Sequence, residues 1–142
     1  MSVWFRPPDL EALAKQRQDT LVQHLDISFS EIGDDYLRAT MPVDETTKQP
    51  FGLLHGGASV ALAETIGSVA ANLAVDTSKF YCVGMEINAN HLRPVRAGRV
   101  TGTGRPLHVG GKTQVWQIAI HDEADRLICV SRITLAVLDR QT

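Results

Sequence analysis

A chain of 142 residues with 44% hydrophobic and 21% charged side chains has the make-up of one globular domain, 1–142, and excludes a disordered or collagen-like polymer. Its 14 Lys and Arg against 16 Asp and Glu give a net charge of −2, with no basic block to hold nucleic acid. Cys82 and Cys129 lack the spacing of a disulfide scaffold or a zinc site, and neither a signal-peptide core nor a run of ~18 apolar residues is present. These features predict a cytoplasmic protein with no membrane partner.

In chain order, Pro7-Pro8-Asp9 reads as a helix entry, with Asp9 capping a short surface helix from Leu10 to Gln18. Leu25, Ile27 and Phe29 then alternate with polar residues, Gly33-Asp34-Asp35 turns the chain, and Leu37, Ala39, Met41 and Val43 alternate again. This is the pattern of an antiparallel hairpin. Asp44 to Phe51 is a polar loop containing Gln49.

The segment from Gly52 to Val75 is different. Leu62, Ile66, Val69 and Leu73 follow a 4-3-4 spacing and mark one helical face. Ala58, Ala61, Ala63, Ala70, Ala71 and Ala74 surround them, as in a helix buried nearly all round. Strand patterns resume with Tyr81, Val83, Met85 and Ile87, and continue from Arg99 to Gly104. Pro106 to Gly111 reads as a turn. A strand from Val115 to Ile120, a turn from His121 to Asp125 and a long strand from Ile128 to Leu138 complete the chain. Two strands, one long helix and about four further strands predict an α+β hotdog fold, an antiparallel sheet wrapped around a central helix.

Glu64 stands in the middle of the most apolar helix, and no Lys or Arg occupies the neighbouring helical positions Val60, Ala61, Gly67 and Ser68. Ala61, Glu64, Thr65, Ser68 and Asn72 share one face. An acid there is either a catalytic carboxylate in a cleft or an ordinary residue on a solvated face. Upstream, Leu54-His55-Gly56-Gly57-Ala58-Ser59 joins loop to helix. Amides at a helix start lack intrahelical partners, and glycines let another group approach them. That suits polarisation of a carbonyl oxygen, although two glycines also suit a tight loop. His91 ends a strand, where a lone histidine is more often structural than catalytic, and His24 and His121 read as surface residues. His108, Gly110, Gly111 and Lys112, with Arg105 before them, combine amides and cations in a way that suits a phosphate. No G-x-S-x-G elbow, nucleotide-binding loop or spaced metal-ligand cluster occurs.

The run Gln49-Pro50-Phe51-Gly52-Leu53-Leu54-His55-Gly56-Gly57-Ala58-Ser59, followed by Leu62-Ala63-Glu64-Thr65-Ile66-Gly67-Ser68, resembles the signature of PaaI-type hotdog thioesterases. Val83 to His91 and Pro106 to Ile118 extend the resemblance over nearly the whole chain. It points to the branch that contains 1,4-dihydroxy-2-naphthoyl-CoA hydrolase and the proofreading thioesterase of the enterobactin pathway.

The resemblance implies hydrolysis of an acyl-CoA, first of all an aryl-CoA, with coenzyme A as part of the substrate and neither cofactor nor metal required. It implies Glu64 as nucleophile or general base, the Gly56 N–H as the carbonyl-polarising donor, His55 and Gln49 as positioning groups, and Ser68 with Thr65 holding water or orienting Glu64. Gly84, His91, Leu92, Arg93, Pro94, His108, Val109, Gly110, Gly111, Lys112 and Thr113 would line the coenzyme A channel. It also implies sites shared between subunits, Glu64 facing the neighbour's Gly56, in a homotetramer built as a dimer of dimers. A phosphopantetheine carrier protein in place of coenzyme A and a non-catalytic thioester-binding module are the alternatives. A hydratase is less compatible, because the helix carries no histidine after His55.

Overall fold

The structure is a computed structural model that describes residues 1–141. The first helix, α1 (Leu10–Gln16), begins where expected, with the Asp9 side chain accepting from the Glu11 N–H at 3.1 Å. It ends two residues before Gln18, and Asp19 takes a left-handed φ of 61°. A one-turn helix, α2 (Leu21–His24), which the alternation pattern did not reveal, follows it. Leu25 and Ile27 are buried as expected but precede the first strand, because Asp26 has a φ of 54° and interrupts extended backbone. The strand itself, β1 (Ser28–Ile32), starts at Ser28 and pairs with β2 (Leu37–Pro42) in an antiparallel hairpin.

The central helix is α3 (Gly56–Leu73). After it come β3 (Phe80–His91), β4 (Arg99–Val109), β5 (Thr113–His121) and β6 (Leu127–Asp139). The six strands form one sheet in the order β1-β2-β4-β5-β6-β3, antiparallel throughout. This is the predicted hotdog arrangement, with α3 lying against the inner face of the sheet.

The buried stripe of α3 is rotated from the one predicted. Ser59, Leu62, Ala63, Ile66, Gly67, Ala70 and Ala71 are buried, whereas Val69 and Leu73 are only half-buried. Leu62 and Ile66 are fully buried, each contributing about 1.5–3 kcal/mol. The small residues matter because the helix lies close to the sheet: a Cβ at Gly102 or Gly104 of β4 would meet the Ile66 side chain at 2.6 and 2.7 Å. The burial all round that the alanine content suggested is not reached, since the face carrying Glu64, Thr65 and Ser68 is half-exposed.

Beneath the C-terminal part of α3, a fully buried Gln114 accepts from the Trp116 indole N–H at 2.8 Å and donates to the Ala71 carbonyl at 3.3 Å. A polar group in a core needs such partners.

β4 does not stop at Gly104. It continues through Pro106 to Val109, leaving only Gly110 to Lys112 as the turn. β2 pairs with β4 only as far as Gly104, so no neighbouring strand on that side needs an N–H from Pro106, and proline is tolerated on such an edge.

The two edges of the sheet differ. β1 is five residues long and packs against α1. β3 is twelve residues long, mostly exposed apart from the buried Cys82, and presents Tyr81, Val83 and Met85 to solvent. None of the helices among the described residues is long and apolar enough to cross a membrane.

Candidate active site

The start of α3 directs one amide into an open cleft. His55 is the N-cap, with φ −67° and ψ 131°, and its Nδ1 accepts from the Gly57 N–H at 2.7 Å. The Ala58 and Ser59 N–H groups both reach the His55 carbonyl. Of these first amides only that of Gly56 finds no acceptor among the described residues, the usual condition of a helix start. Because His55 Nδ1 accepts, its ring proton lies on Nε2, and the residue is exposed.

The cleft beside Gly56 measures about 300 Å³ and is lined by Gln49, His91, Leu92, Arg93 and Pro94, together with Leu53, Leu54, Ser59 and Ile128. The Gln49 side-chain oxygen is held by the Phe51 N–H at 2.5 Å, which leaves its NH₂ as the available end. His91 lies directly over Gly56: a Cβ there would come within 2.9 Å of His91 Nε2. Thus four expected elements, Gln49, Gly56, His91 and the Leu92 to Pro94 segment, meet in one place. The apolar residues Leu53, Leu54 and Ile128 were not singled out from sequence, since nothing distinguishes them from core residues.

Glu64 belongs to a second group. Its carboxylate lies on Gly84 of β3, where a Cβ would be 2.5 Å from Glu64 Oε2. β3 carries a bulge between Gly84 and Glu86 at this point, a feature that re-aims a strand beside functional groups. Ser68 is one helical turn further on. The Thr65 hydroxyl donates to the Ala61 carbonyl at 2.7 Å, so that proton is unavailable to Glu64. No cation pairs with Glu64 among the described residues. Asn72 ties α3 to β3, accepting from the Cys82 N–H at 2.8 Å and donating to the Cys82 carbonyl at 3.1 Å.

The third group is the β4–β5 turn. His108, Val109, Gly111 and Lys112 are exposed, and Gly110 and Thr113 are half-buried. Thr113 pairs with Ala136, and Ala136 pairs with Val83. The turn therefore lies at the Gly84 end of the sheet. His91 pairs with Cys129, seven positions along β6 from Ala136, or about 23 Å at ~3.3 Å per residue. Within one chain, the two parts of the expected coenzyme A channel stand at opposite ends of the sheet. Gly56 and Glu64, eight residues apart on α3, are likewise separated by about 12 Å. His24 is exposed and His121 half-buried, and neither lines the cleft beside Gly56. No cluster of metal-ligating side chains exists among the described residues.

Residues 51–129 match the family described as the Thioesterase superfamily. The chain belongs to the thioesterase superfamily. This thioesterase is 58% identical to the 1,4-dihydroxy-2-naphthoyl-CoA hydrolase of Escherichia coli, over 96% of its length and 99% of the relative's. It is 53% identical to the proofreading thioesterase EntH of Cronobacter turicensis, over 96% and 98% of the two chains. A crystal structure of a mutant thioesterase from Pseudomonas aeruginosa superposes with a TM-score of 0.97 at 49% identity, covering 98% of this chain and all of that one. The thioesterase is accordingly a hydrolase of thioesters, and the groups described above are the candidates for its chemistry.

Proposed function

We propose that the protein hydrolyses an aryl-CoA thioester in a site shared by two copies of the chain. The observation that carries this reading is the eight-residue offset of Gly56 and Glu64 on one helix, about 12 Å of helical rise. A donor to the carbonyl oxygen must lie within about 3 Å of that oxygen, and the attacking group within about 3–3.5 Å of the carbonyl carbon. One chain cannot meet both conditions. A second copy added along β3 can, because β3 is a long edge strand, paired with β6 on one side only and exposing Tyr81, Val83 and Met85, of the kind that needs covering, and Gly84 and His91 both lie on it.

In the shared site, the Gly56 N–H donates to the thioester carbonyl oxygen at the positive end of α3. The Gln49 NH₂ and the His55 Nε2–H hold the acyl and thiol sides in place. The partner's carboxylate at position 64 attacks the carbonyl carbon or takes a proton from water that does so, with Ser68 positioned to hold that water. The carbon–sulfur bond breaks and the thiolate leaves; in the base route the proton taken from water passes from Glu64 to the thiolate, and in the nucleophilic route water hydrolyses the resulting mixed anhydride, regenerating the carboxylate and supplying the thiolate's proton. The cleft beside His91 to Pro94 receives the pantetheine arm. The pairing of two such dimers lets the β4–β5 turns, with Lys112, meet the nucleotide end. The cleft between α1 and α3, beside Ser68, receives the acyl group.

An aromatic acyl group is supported by the 58% identity to an enzyme named for a dihydroxynaphthoyl substrate. A carrier protein as second thiol donor is supported by the relative named a proofreading thioesterase and by Arg93 and Arg96 in adjoining clefts that share Pro94. Free, buried Cys82 and Cys129 accord with a reducing cytoplasm.

Thiol release from a panel of benzoyl-, hydroxynaphthoyl-, phenylacetyl- and medium-chain acyl-CoA esters tests the reading. The wild type should turn over an aryl ester, and Glu64→Ala should lose at least ~100-fold in kcat while still binding the ester. Binding without hydrolysis by the wild type would instead support a thioester-binding module. A single turnover in ¹⁸O-water that leaves isotope in the protein carboxylate marks nucleophilic attack, with the anhydride opened at the protein's own carbonyl.

A further inference from the structure

α1 lies outside the residues matched to the family, 51–129, and at seven residues it is too short to be stable alone. It is nevertheless anchored at both ends. On the N-terminal side, Trp4 stacks on the buried Trp116 with ring centroids 5.8 Å apart and planes within 9°. Its indole N–H donates to the Gly33 carbonyl at 2.7 Å, and the Phe5 N–H reaches the Leu73 carbonyl at the end of α3 at 2.9 Å. On the C-terminal side, Arg17 donates to the Ile27 carbonyl at 3.0 Å and to Asp26 at 3.1 Å.

Held in this way, α1 leaves an open cleft of about 350 Å³ against α3, lined by Leu13, Gln16, Ser68, Val69, Leu73 and Thr77 among others. Ser68 follows Glu64 by one helical turn, so the cleft begins one turn beyond the reacting carboxylate and extends to α1. Leu13, Val69 and Leu73 supply apolar walls. Gln16 is exposed and its carboxamide makes no hydrogen bond among the described residues, so it has donors and an acceptor to offer.

We infer that α1 is the far wall of the acyl pocket and that Gln16 reads a polar substituent on the acyl group, an inference that rests on the thioesterase site proposed above. An apolar cleft ending in a free carboxamide favours a hydroxylated aromatic acyl group over an unsubstituted one. A site that hydrogen-bonds a substituent discriminates against the analogue lacking it, whereas apolar contact alone does not.

The test compares wild type, Gln16→Leu and Gln16→Trp on the coenzyme A esters of a hydroxylated bicyclic aromatic acid, its unsubstituted counterpart and a short acyl group. Melting curves confirm that each variant folds. Gln16→Leu should lower kcat/KM for the hydroxylated ester by about tenfold, the effect of one lost hydrogen bond, and change the unsubstituted ester less than about twofold. Gln16→Trp, which fills the cleft from the same exposed position, should reduce both bicyclic esters relative to the short one. Equal effects on hydroxylated and unsubstituted esters in Gln16→Leu, with no size effect in Gln16→Trp, would overturn the inference. If the wild type hydrolyses no ester, the thioesterase site fails and the inference with it. If the wild type is active, Glu64→Ala is inactive and the Gln16 variants match wild type, only the inference fails.

Discussion

Gly84 should be intolerant of a single methyl group, and the reason is chemical rather than structural. A Cβ at this position would lie 2.5 Å from Glu64 Oε2, where ordinary contact begins near 3.4 Å. The carboxylate must therefore retreat by about 1 Å. Its next neighbour, the Ile133 Cδ1, is at an ordinary 3.6 Å, and Gly84 has no left-handed φ, so the backbone has no reason to move. A misplacement of about 1 Å at a reacting group costs up to ~100-fold in rate. Gly84→Ala should thus lower kcat for aryl-CoA hydrolysis by about two orders of magnitude while its melting temperature stays within about 4 °C of wild type. In a Glu64→Ala background the same change should have no further effect on rate, because the group it displaces is gone. A Gly84→Ala protein with wild-type kcat and unchanged melting would refute the reasoning, since the carboxylate resting on Gly84 would then be remote from the reaction.

His55→Ala removes the N-cap of α3 and should cost about 1 kcal/mol of stability by chemical denaturation, with a larger proportional loss in kcat through the missing Nε2 donor. Gln114→Leu leaves the buried Trp116 N–H without an acceptor; about 1–3 kcal/mol of stability should be lost, while kcat of the folded fraction is unchanged. Val83→Glu combined with Met85→Glu charges the exposed edge β3 and should give a folded monomer by light scattering that has lost hydrolysis; an active monomer would contradict the shared site. Hydrogen bonds from the Thr46 side chain, the Ser78 side chain and the Arg126 backbone are the main influences holding Asp44, Asp76 and Asp122 below the usual carboxylate range. Their folded values lie below the unfolded value of 3.8, so their contribution is complete above that pH and is lost as pH falls below it. An acid melt of Asp122→Asn should therefore show a shallower loss in that window than wild type.

The fold was legible because its two periodicities are strong. The run from Leu62 to Leu73 has the spacing of a helix, and the alternation in β2 and β5 marks strands with one face inward, whereas the alternating apolar residues Tyr81, Val83 and Met85 of β3 face outward. The rotation of the buried stripe was hidden because alanine and glycine carry little periodic signal, yet Ala63, Gly67 and Ala70 are the residues that let α3 approach the sheet. The length of β4 was hidden because Pro106 reads as a break, and only the sheet order reveals that β2 ends at Gly104 and leaves that side open. α2 and Asp26 escaped notice because a single turn has no period. In the site, Gln49, Gly56, Glu64 and Gly84 were recognisable as a motif, but their division into two groups follows from helix and strand lengths. Gln16 carries no signal in the sequence at all, since an exposed glutamine on a surface helix looks like any other.

The shared site is tested most directly by complementation. Gly56 is the first residue of α3, a position that favours proline, and His55 already has the extended backbone that a following proline requires. Gly56→Pro therefore deletes the N–H donor while keeping the helix start, its ring also displacing the His91 side chain that a Cβ at this position would meet at 2.9 Å, and should cost at least about 100-fold in kcat. Glu64→Ala deletes the carboxylate. Co-expressed in equal amounts, the two inactive chains should form mixed assemblies in which about a quarter of the sites draw the intact amide from one chain and the intact carboxylate from the other. The account predicts recovery of about a quarter of wild-type hydrolysis. A co-expressed sample with confirmed mixed assemblies and no more activity than either parent would contradict it.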